Sequence, residues 1–366
     1  MNTLNTRKNH LLRKSISLII ALVFILGTFT GCGDKSDATS TTAPATTQTV
    51  APSPNPPASL YVTGNYNPLT GEANYSEELI NNRPVFVSVE NHYDARPQWG
   101  IASADIVWEL PAEGDITRML LMFADASRLP DKIGPTRSAR HYFVELVEGF
   151  DAIFVHFGGS PQAYSAISQY GTSNLDGMSL GSYFSRDNSR DVAIEHRAYT
   201  TQEKILAAID AYDVRTTIED GYKNPFTFYT STQSLSEGTC TQFTVPFSSS
   251  TTYTLTYSDT DKVYYSSLGS KPFMDDDGTQ QNFTNVIVCY VDVSYISGDS
   301  KGRKSLDLSS GEGYCFTNGT YEQISWEKGN YEDMMKFYGA NGEELALNTG
   351  RTYIALVPSS NQITMS

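Results

Sequence analysis

Near residue 220 the chain changes its period, and this change limits the available folds more than any other feature. Before it, short apolar runs alternate with stretches of helical spacing. The runs at 84–90 (PVFVSVE), 104–110 (ADIVWEL), 119–124 (MLLMFA) and 152–157 (AIFVHF) are β-branched or aromatic and bounded by polar residues, so they read as strands. Val85, Val87 and Val89 would share one face, with Phe86 and Ser88 on the other. Tyr142, Phe143, Leu146 and Val147 recur at helical spacing within 138–149. A second helix is expected over 161–170, with Ser160 as N-cap and Pro161 in the first helical position. A third spans 200–212, with Thr201 as cap and Ile205, Ala208, Ile209 and Tyr212 on one stripe. After about residue 224 the runs are short, aromatic and often alternating: 227–229, 242–247, 253–257, 263–267, 286–293, 304–308, 313–316, 321–326, 336–338 and 352–357. Asn318-Gly319 and Asn341-Gly342 are hairpin pairs, and Asp277-Gly278 is a further turn. The expected fold is an α/β layered domain over 60–220 followed by a mainly antiparallel β domain over 221–366, an α+β arrangement overall. The lobes should touch, because the junction lacks linker composition.

The first 32 residues give an address. Arg7, Lys8, Arg13 and Lys14 precede an apolar run from Ser17 to Phe29, short for a membrane span but suited to a secretory leader. The run ends in Phe29-Thr30-Gly31-Cys32, which resembles the bacterial lipobox. That resemblance implies that residues 1–31 are a lipoprotein signal peptide and that Cys32, diacylated, becomes the mature N-terminus. An ordinary signal peptide or an uncleaved anchor is the alternative. Acyl chains, at about 0.8 kcal/mol per buried methylene, would hold a soluble domain on the extracytoplasmic face of the cell membrane. Residues 32–59 continue as a Ser/Thr/Ala/Pro-rich tether with almost no large apolar side chain, expected to be disordered.

The chain carries 26 basic and 41 acidic side chains, a net charge of −15. The leader holds four of the basic ones, so the remainder is more acidic still. This excludes a nucleic-acid binder, whose affinity rests on neutralising phosphates. The 23 tyrosines fit a folded, β-rich chain. Beyond Cys32 only Cys240, Cys289 and Cys315 remain, with no CxxC, so a zinc ribbon is out and one disulfide is the most that can form. Cys289 and Cys315 lie in strand-like runs and read as buried thiols.

Several specific words recur along the N-terminal half. They include Asn67-Pro68-Leu69-Thr70-Gly71, Asn82-Arg83-Pro84-Val85, Asn91-His92 with Ala95-Arg96-Pro97-Gln98, and Glu113-Gly114 with Ile116-Thr117-Arg118. Ile133 to Arg140 (IGPTRSAR), His156 before Gly158-Gly159-Ser160-Pro161, Leu175-Asp176-Gly177, Arg186-Asp187 and His196 to Thr200 follow. Gly311-Glu312-Gly313, Trp326-Glu327-Lys328 and Asn341-Gly342-Glu343 extend the pattern. In these words residues 60–360 resemble the YerB-like lipoproteins of Gram-positive bacteria, a family named for a domain of unknown function. The resemblance implies a two-domain extracytoplasmic lipoprotein and no established reaction.

Two constellations carry candidate chemistry. Arg137, Ser138 and Arg140, beside His141, sit at an expected helix start, where guanidinium groups and the helix end favour a phosphate or carboxylate. Arg118 could join them. The opposing reading pairs these arginines internally with Asp105, Glu109, Glu113 or Asp115. The second constellation, His156-Phe157-Gly158-Gly159-Ser160-Pro161, leads a strand through a Gly-Gly turn into a helix, where backbone N–H groups can form an anion nest. It lacks the Lys-Ser/Thr of a P-loop and is no GxSxG elbow. Ser160 reads as an N-cap, and His156 as either a pocket acid or base or a satisfied strand-end histidine. His196 completes the ligand-binding set. Asp275-Asp276-Asp277-Gly278 reads as a solvated turn, and no metal site or cofactor is expected. The favoured function is binding of an anionic cell-envelope ligand, or of a protein partner, by Arg118, Arg137, Arg140, His156, Gly158, Gly159, Ser160 and His196. The alternative is a cell-wall hydrolase or transferase using His156, His196 or Glu109. The sequence leaves the oligomeric state open.

Overall fold

The structure is a computed structural model, and it describes residues 59–366. The leader, Cys32 and the tether up to residue 58 lie outside the described residues. The first apolar run forms Val85–Glu90 (β1), all six side chains of which are buried. Burial on both faces follows from its place inside an eleven-stranded mixed sheet. With it run Ile106–Pro111 (β2), Thr117–Phe123 (β3), Ile153–His156 (β4) and Asn174–Asp176 (β5). The sheet order is Lys336–Tyr338, Thr320–Glu327, Ser310–Thr317, Asn285–Val291, Thr352–Pro358, β2, β3, β1, β4, β5. Gly238–Thr239 adds a short strand beside Thr320–Glu327.

The two halves of the chain therefore share one sheet. Thr352–Pro358 pairs in parallel with β2 on one side and with Asn285–Val291 on the other. Pairing within the second half is otherwise mainly antiparallel, as the hairpin pattern predicts. Asn318 and Gly319, at φ 50 and 70, turn the tightest of these hairpins.

The two faces are covered differently. His141–Gly149 (α1) and Pro161–Tyr170 (α2) pack on the face that carries Phe86, Trp108 and Leu120. Trp108 meets Phe150 and Phe337 there, at centroid distances of 5.8 and 6.5 Å. Gln202–Ala211 (α3) covers the opposite face together with a second sheet built on Gln242–Pro246, Thr252–Ser258 and Val263–Leu268. Val85, Val87 and Val89 face that way, in the alternation read from the sequence. Phe243 stacks on Phe316 at 3.7 Å to join the two sheets. Ser160 and Thr201 cap α2 and α3 through the Ala163 and Lys204 N–H groups.

Two expectations change. The first helix starts at His141 rather than at 138, because residues 136–139 are held extended by bridges to Val89 and Gly159. Asp275 is not solvated. It is 4% exposed and accepts the Gly100 and Ala102 N–H groups at 3.2 and 2.7 Å, tying the second half to the first. Cys240, Cys289 and Cys315 are all free and buried. Among the described residues no helix is long and apolar enough to cross a membrane.

Arg351 is a second tie. Its Nε donates to the Ala104 carbonyl at 2.7 Å, and its Nη groups donate to Asn282 and Ile101 carbonyls at 3.0 and 2.9 Å. Replacing Arg351 by Met strands these acceptors, and we expect a loss of about 3 kcal/mol or more in urea unfolding. Because both halves share the sheet, fluorescence from Trp99 and Trp108 in the first half and from Trp326 in the second should report one coincident transition. Single-tryptophan variants check this, and two separate midpoints would show that the halves unfold independently.

Candidate functional site

The site is set by a thread of chain, residues 135–139, laid across the ends of β1 and β4. Glu90 N–H donates to the Pro135 carbonyl, Arg137 N–H to Ser88, Phe157 N–H to Arg137 and Ala139 N–H to Gly158, all at 2.9–3.0 Å. Backbone bonds on both sides thus fix Arg137 beside the end of β1. Its Nε lies 3.0 Å from Oε1 of Glu90, the last residue of that strand and only 1% exposed. The second carboxylate oxygen of Glu90 lies 2.9 Å from Nδ1 of His196. A carboxylate oxygen only accepts, so Nδ1 carries a proton and Nε2 is left for another partner. That atom is 3.9 Å from Oδ2 of Asp94, and the ring stacks on His92 with centroids 4.8 Å apart.

On its other side Arg137 lines a cleft of about 440 Å³ with Ser138, Gly158, Gly159, Arg186 and Glu195. Tyr164 and Met178 stand on its rim, both exposed. Arg186 lies over the Phe157 ring at 4.8 Å and donates to the Ile194 carbonyl at 2.5 Å. The Glu195 carboxyl is held below its ordinary range by its own backbone N–H, with Arg137, His196 and Arg186 adding to the effect. The cleft therefore has two arginines, the Glu195 carboxylate, the Ser138 hydroxyl and an apolar lip.

The other residues singled out in the sequence have internal work. Arg118, 2% exposed, donates to the Ser138 carbonyl at 2.9 Å and pairs with Glu113. Arg140 donates through Nε to Glu113 at 2.5 Å and through Nη1 to the Ala139 carbonyl at 2.7 Å. Internal pairing is thus what the structure gives these two. His156 is fully buried, with Nδ1 2.8 Å from the Gly158 carbonyl and Nε2 3.2 Å from the Asn174 amide oxygen. Burial pushes its imidazole below the ordinary value. It is enclosed at the strand end, away from the cleft, with both ring nitrogens facing protein oxygens.

Gly158 stands at φ +76, but Asp176 Oδ1 takes its N–H at 2.7 Å and the Met178 N–H at 2.9 Å, which leaves that donor occupied. Asp176 Oδ2 accepts the Tyr164 hydroxyl. Ser160 is the N-cap. Glu109 is wholly enclosed, its oxygens occupied by Asn91, Thr117, Tyr253 and Tyr353. Cys32 lies outside the described residues. Of the residues foreseen, Arg137, Gly158 and Gly159 line the cleft, and His196 joins Arg137 through Glu90. Glu90, His92, Asp94, Arg186 and Glu195 were missed as a group. The signal available was the abrupt polar run Glu90 to Asp94 after five buried strand residues, at the strand end where α/β sheets place ligands.

Residues 69–215 match the family described as "Protein of unknown function (DUF3048) N-terminal domain", and residues 243–354 match its C-terminal domain. The chain is 33% identical over 310 residues to "Putative lipoprotein YerB" of Bacillus subtilis (strain 168), covering 82% of this chain and 88% of that one. It belongs to the DUF3048 family. The crystal structure of YerB from Bacillus subtilis has the same fold as this DUF3048 chain. The TM-score is 0.72 at 30% identity, over 83% of this chain and all of the other.

His141 gives the site region a testable pH response. It opens α1 beside Arg140 and is partly buried, its Nε2 3.0 Å from the Ser305 hydroxyl. Burial, then the Arg140 charge, pushes its imidazole below the ordinary value. The unfolded chain therefore takes up the proton first as pH falls through about 6.5, and stability is lost in that direction. We expect the wild-type chain to lose more stability than His141→Gln between pH 7.5 and 5.5 in urea titrations. Equal losses would mean that the imidazole is unperturbed.

Proposed function

We propose that this DUF3048 chain is a lipid-anchored extracytoplasmic protein that binds an anionic cell-envelope group in the Arg137–Arg186 cleft. The anchor is supported by the basic and apolar leader, the Gly31-Cys32 end and the lipoprotein name of its Bacillus relative. The observation that carries the binding reading is the pair of guanidinium groups in one cleft with Ser138 and the exposed Tyr164 and Met178. Arginine grips phosphate or carboxylate through several N–H groups, and the aromatic lip suits a sugar or peptide attached to it. The hydrolase reading retains one favourable feature, the His196–Glu90 pair, but neither His156 nor Glu109 joins it.

Two experiments test this. Arg186→Ala should weaken binding of muropeptides or wall-polymer phosphate about tenfold or more in calorimetry, since each charge-assisted bond contributes about 1.5–3 kcal/mol. Arg186 is the cleaner probe, because Arg137→Ala also leaves the buried Glu90 short of a partner. Unchanged binding to every such fragment would remove the cleft from the reading. Separately, Cys32→Ala should abolish incorporation of an alkyne-labelled fatty acid and release the protein from membranes. A wild-type chain that takes up no label would refute the anchor.

A further inference from the structure

His92, Asp94 and His196 form a cluster that the anion cleft does not use. His92 and Asp94 follow directly on the end of β1, and His196 comes from a segment about a hundred residues later. One donor atom from each lies within 4.8 Å of the others. Asp94 Oδ2 is 3.6 Å from His92 Nδ1 and 3.9 Å from His196 Nε2. Metal–ligand bonds of about 2.0–2.2 Å in a tetrahedral site put ligand atoms about 3.4 Å apart, so Asp94 must swing inward and the His92 ring must turn out of its stack on His196, releasing the Asp94 N–H, to close the gap.

The support behind the cluster resembles that of metal sites in general. A ligating histidine usually donates its other ring N–H to a carboxylate, which fixes the ring and raises its basicity. His196 does so through Nδ1 to Glu90, which Arg137 in turn holds at 3.0 Å. The arrangement presents Nε2, and not Nδ1, toward Asp94 and His92. The two rings lie 8° from parallel, with His92 and Asp94 on the solvent side at 23% and 35% side-chain exposure. These two can move onto an ion while His196 and Glu90 stay fixed.

We propose that His92, Asp94 and His196 bind a divalent transition-metal ion, with zinc the closest chemical match. Two imidazoles and one carboxylate are a zinc donor set, and the exposed side leaves a fourth position for water or an anionic group. Magnesium and calcium prefer all-oxygen surroundings and fit poorly. Glu90 is a positioning residue, acting through the His196 ring.

The test uses the full chain, stripped with a chelator and titrated with zinc alone in a calorimeter. We expect one zinc per chain. His92→Ala and Asp94→Asn, both at partly exposed side chains, should each weaken binding at least tenfold without moving the thermal midpoint of the metal-free protein. Glu90→Gln should weaken it about tenfold to a hundredfold with all three ligands intact. Asp259→Asn, on an exposed loop elsewhere, should change nothing. Cobalt(II) in place of zinc should give the absorption of a tetrahedral site in the wild-type chain and lose it in His92→Ala. No uptake at micromolar zinc overturns the proposal, as does uptake that His92→Ala and Asp94→Asn leave unchanged. If Glu90→Gln fails to fold, the two exposed variants decide the matter.

Discussion

One strand, Thr352–Pro358, holds the molecule in its shape by pairing in parallel on both sides. Its neighbours, β2 and Asn285–Val291, are far from it and from each other in sequence. Parallel neighbours need crossovers of a dozen residues or more, and the chain between these strands supplies further strands of the same sheet as well as its covering layers. Ile354 and Leu356 face the helices with Trp108, while Tyr353, Ala355 and Val357 face the second sheet. The Tyr353 hydroxyl reaches Glu109 of β2 at 2.8 Å. Without this strand β2 would be an edge, and the two cores would lose their common wall.

The candidate site depends in a similar way on one buried carboxylate. Glu90 ends a strand whose other residues are almost all apolar, so its charge is out of water and must be matched. Arg137 and His196 match it from two separate segments, and both segments are fixed by backbone bonds. The thread carrying Arg137 is stitched to β1 and β4, and His196 closes a short 3-10 turn before Ala198, whose carbonyl accepts the Thr136 N–H. Because the two segments that carry the partners of Glu90 are also bonded to each other, the cleft on one side and the histidine cluster on the other share one wall.

Local chemistry was legible in the sequence and long-range pairing was not. Ser160-Pro161, Thr201 and Asn318-Gly319 each state their structure within a few residues, through a cap, a fixed φ or a turn. The alternation of Val85, Val87 and Val89 with Phe86 correctly separates the two faces. Asn174–Asp176 escaped notice because three residues carry no periodicity. Asp275 was misread because its partners, the Gly100 and Ala102 N–H groups, lie some 175 residues away. The same holds at the site. Arg118, Arg137 and Arg140 look alike in sequence, and only folding decides that Glu113 takes two of them and Glu90 the third. DUF3048 membership names the fold without naming which arginine is free to meet a ligand.

The place of Thr352–Pro358 in chain order bears on how such a protein is made. Every strand it joins precedes it, so a ribosome has already released β1 to β5 and the hairpins of the second half before the keystone of the sheet exists. Until then β2 and Asn285–Val291 each wait with one unsatisfied side. In a chain of this order the sheet closes last, when the final long strand is made and takes its place between two neighbours already in being.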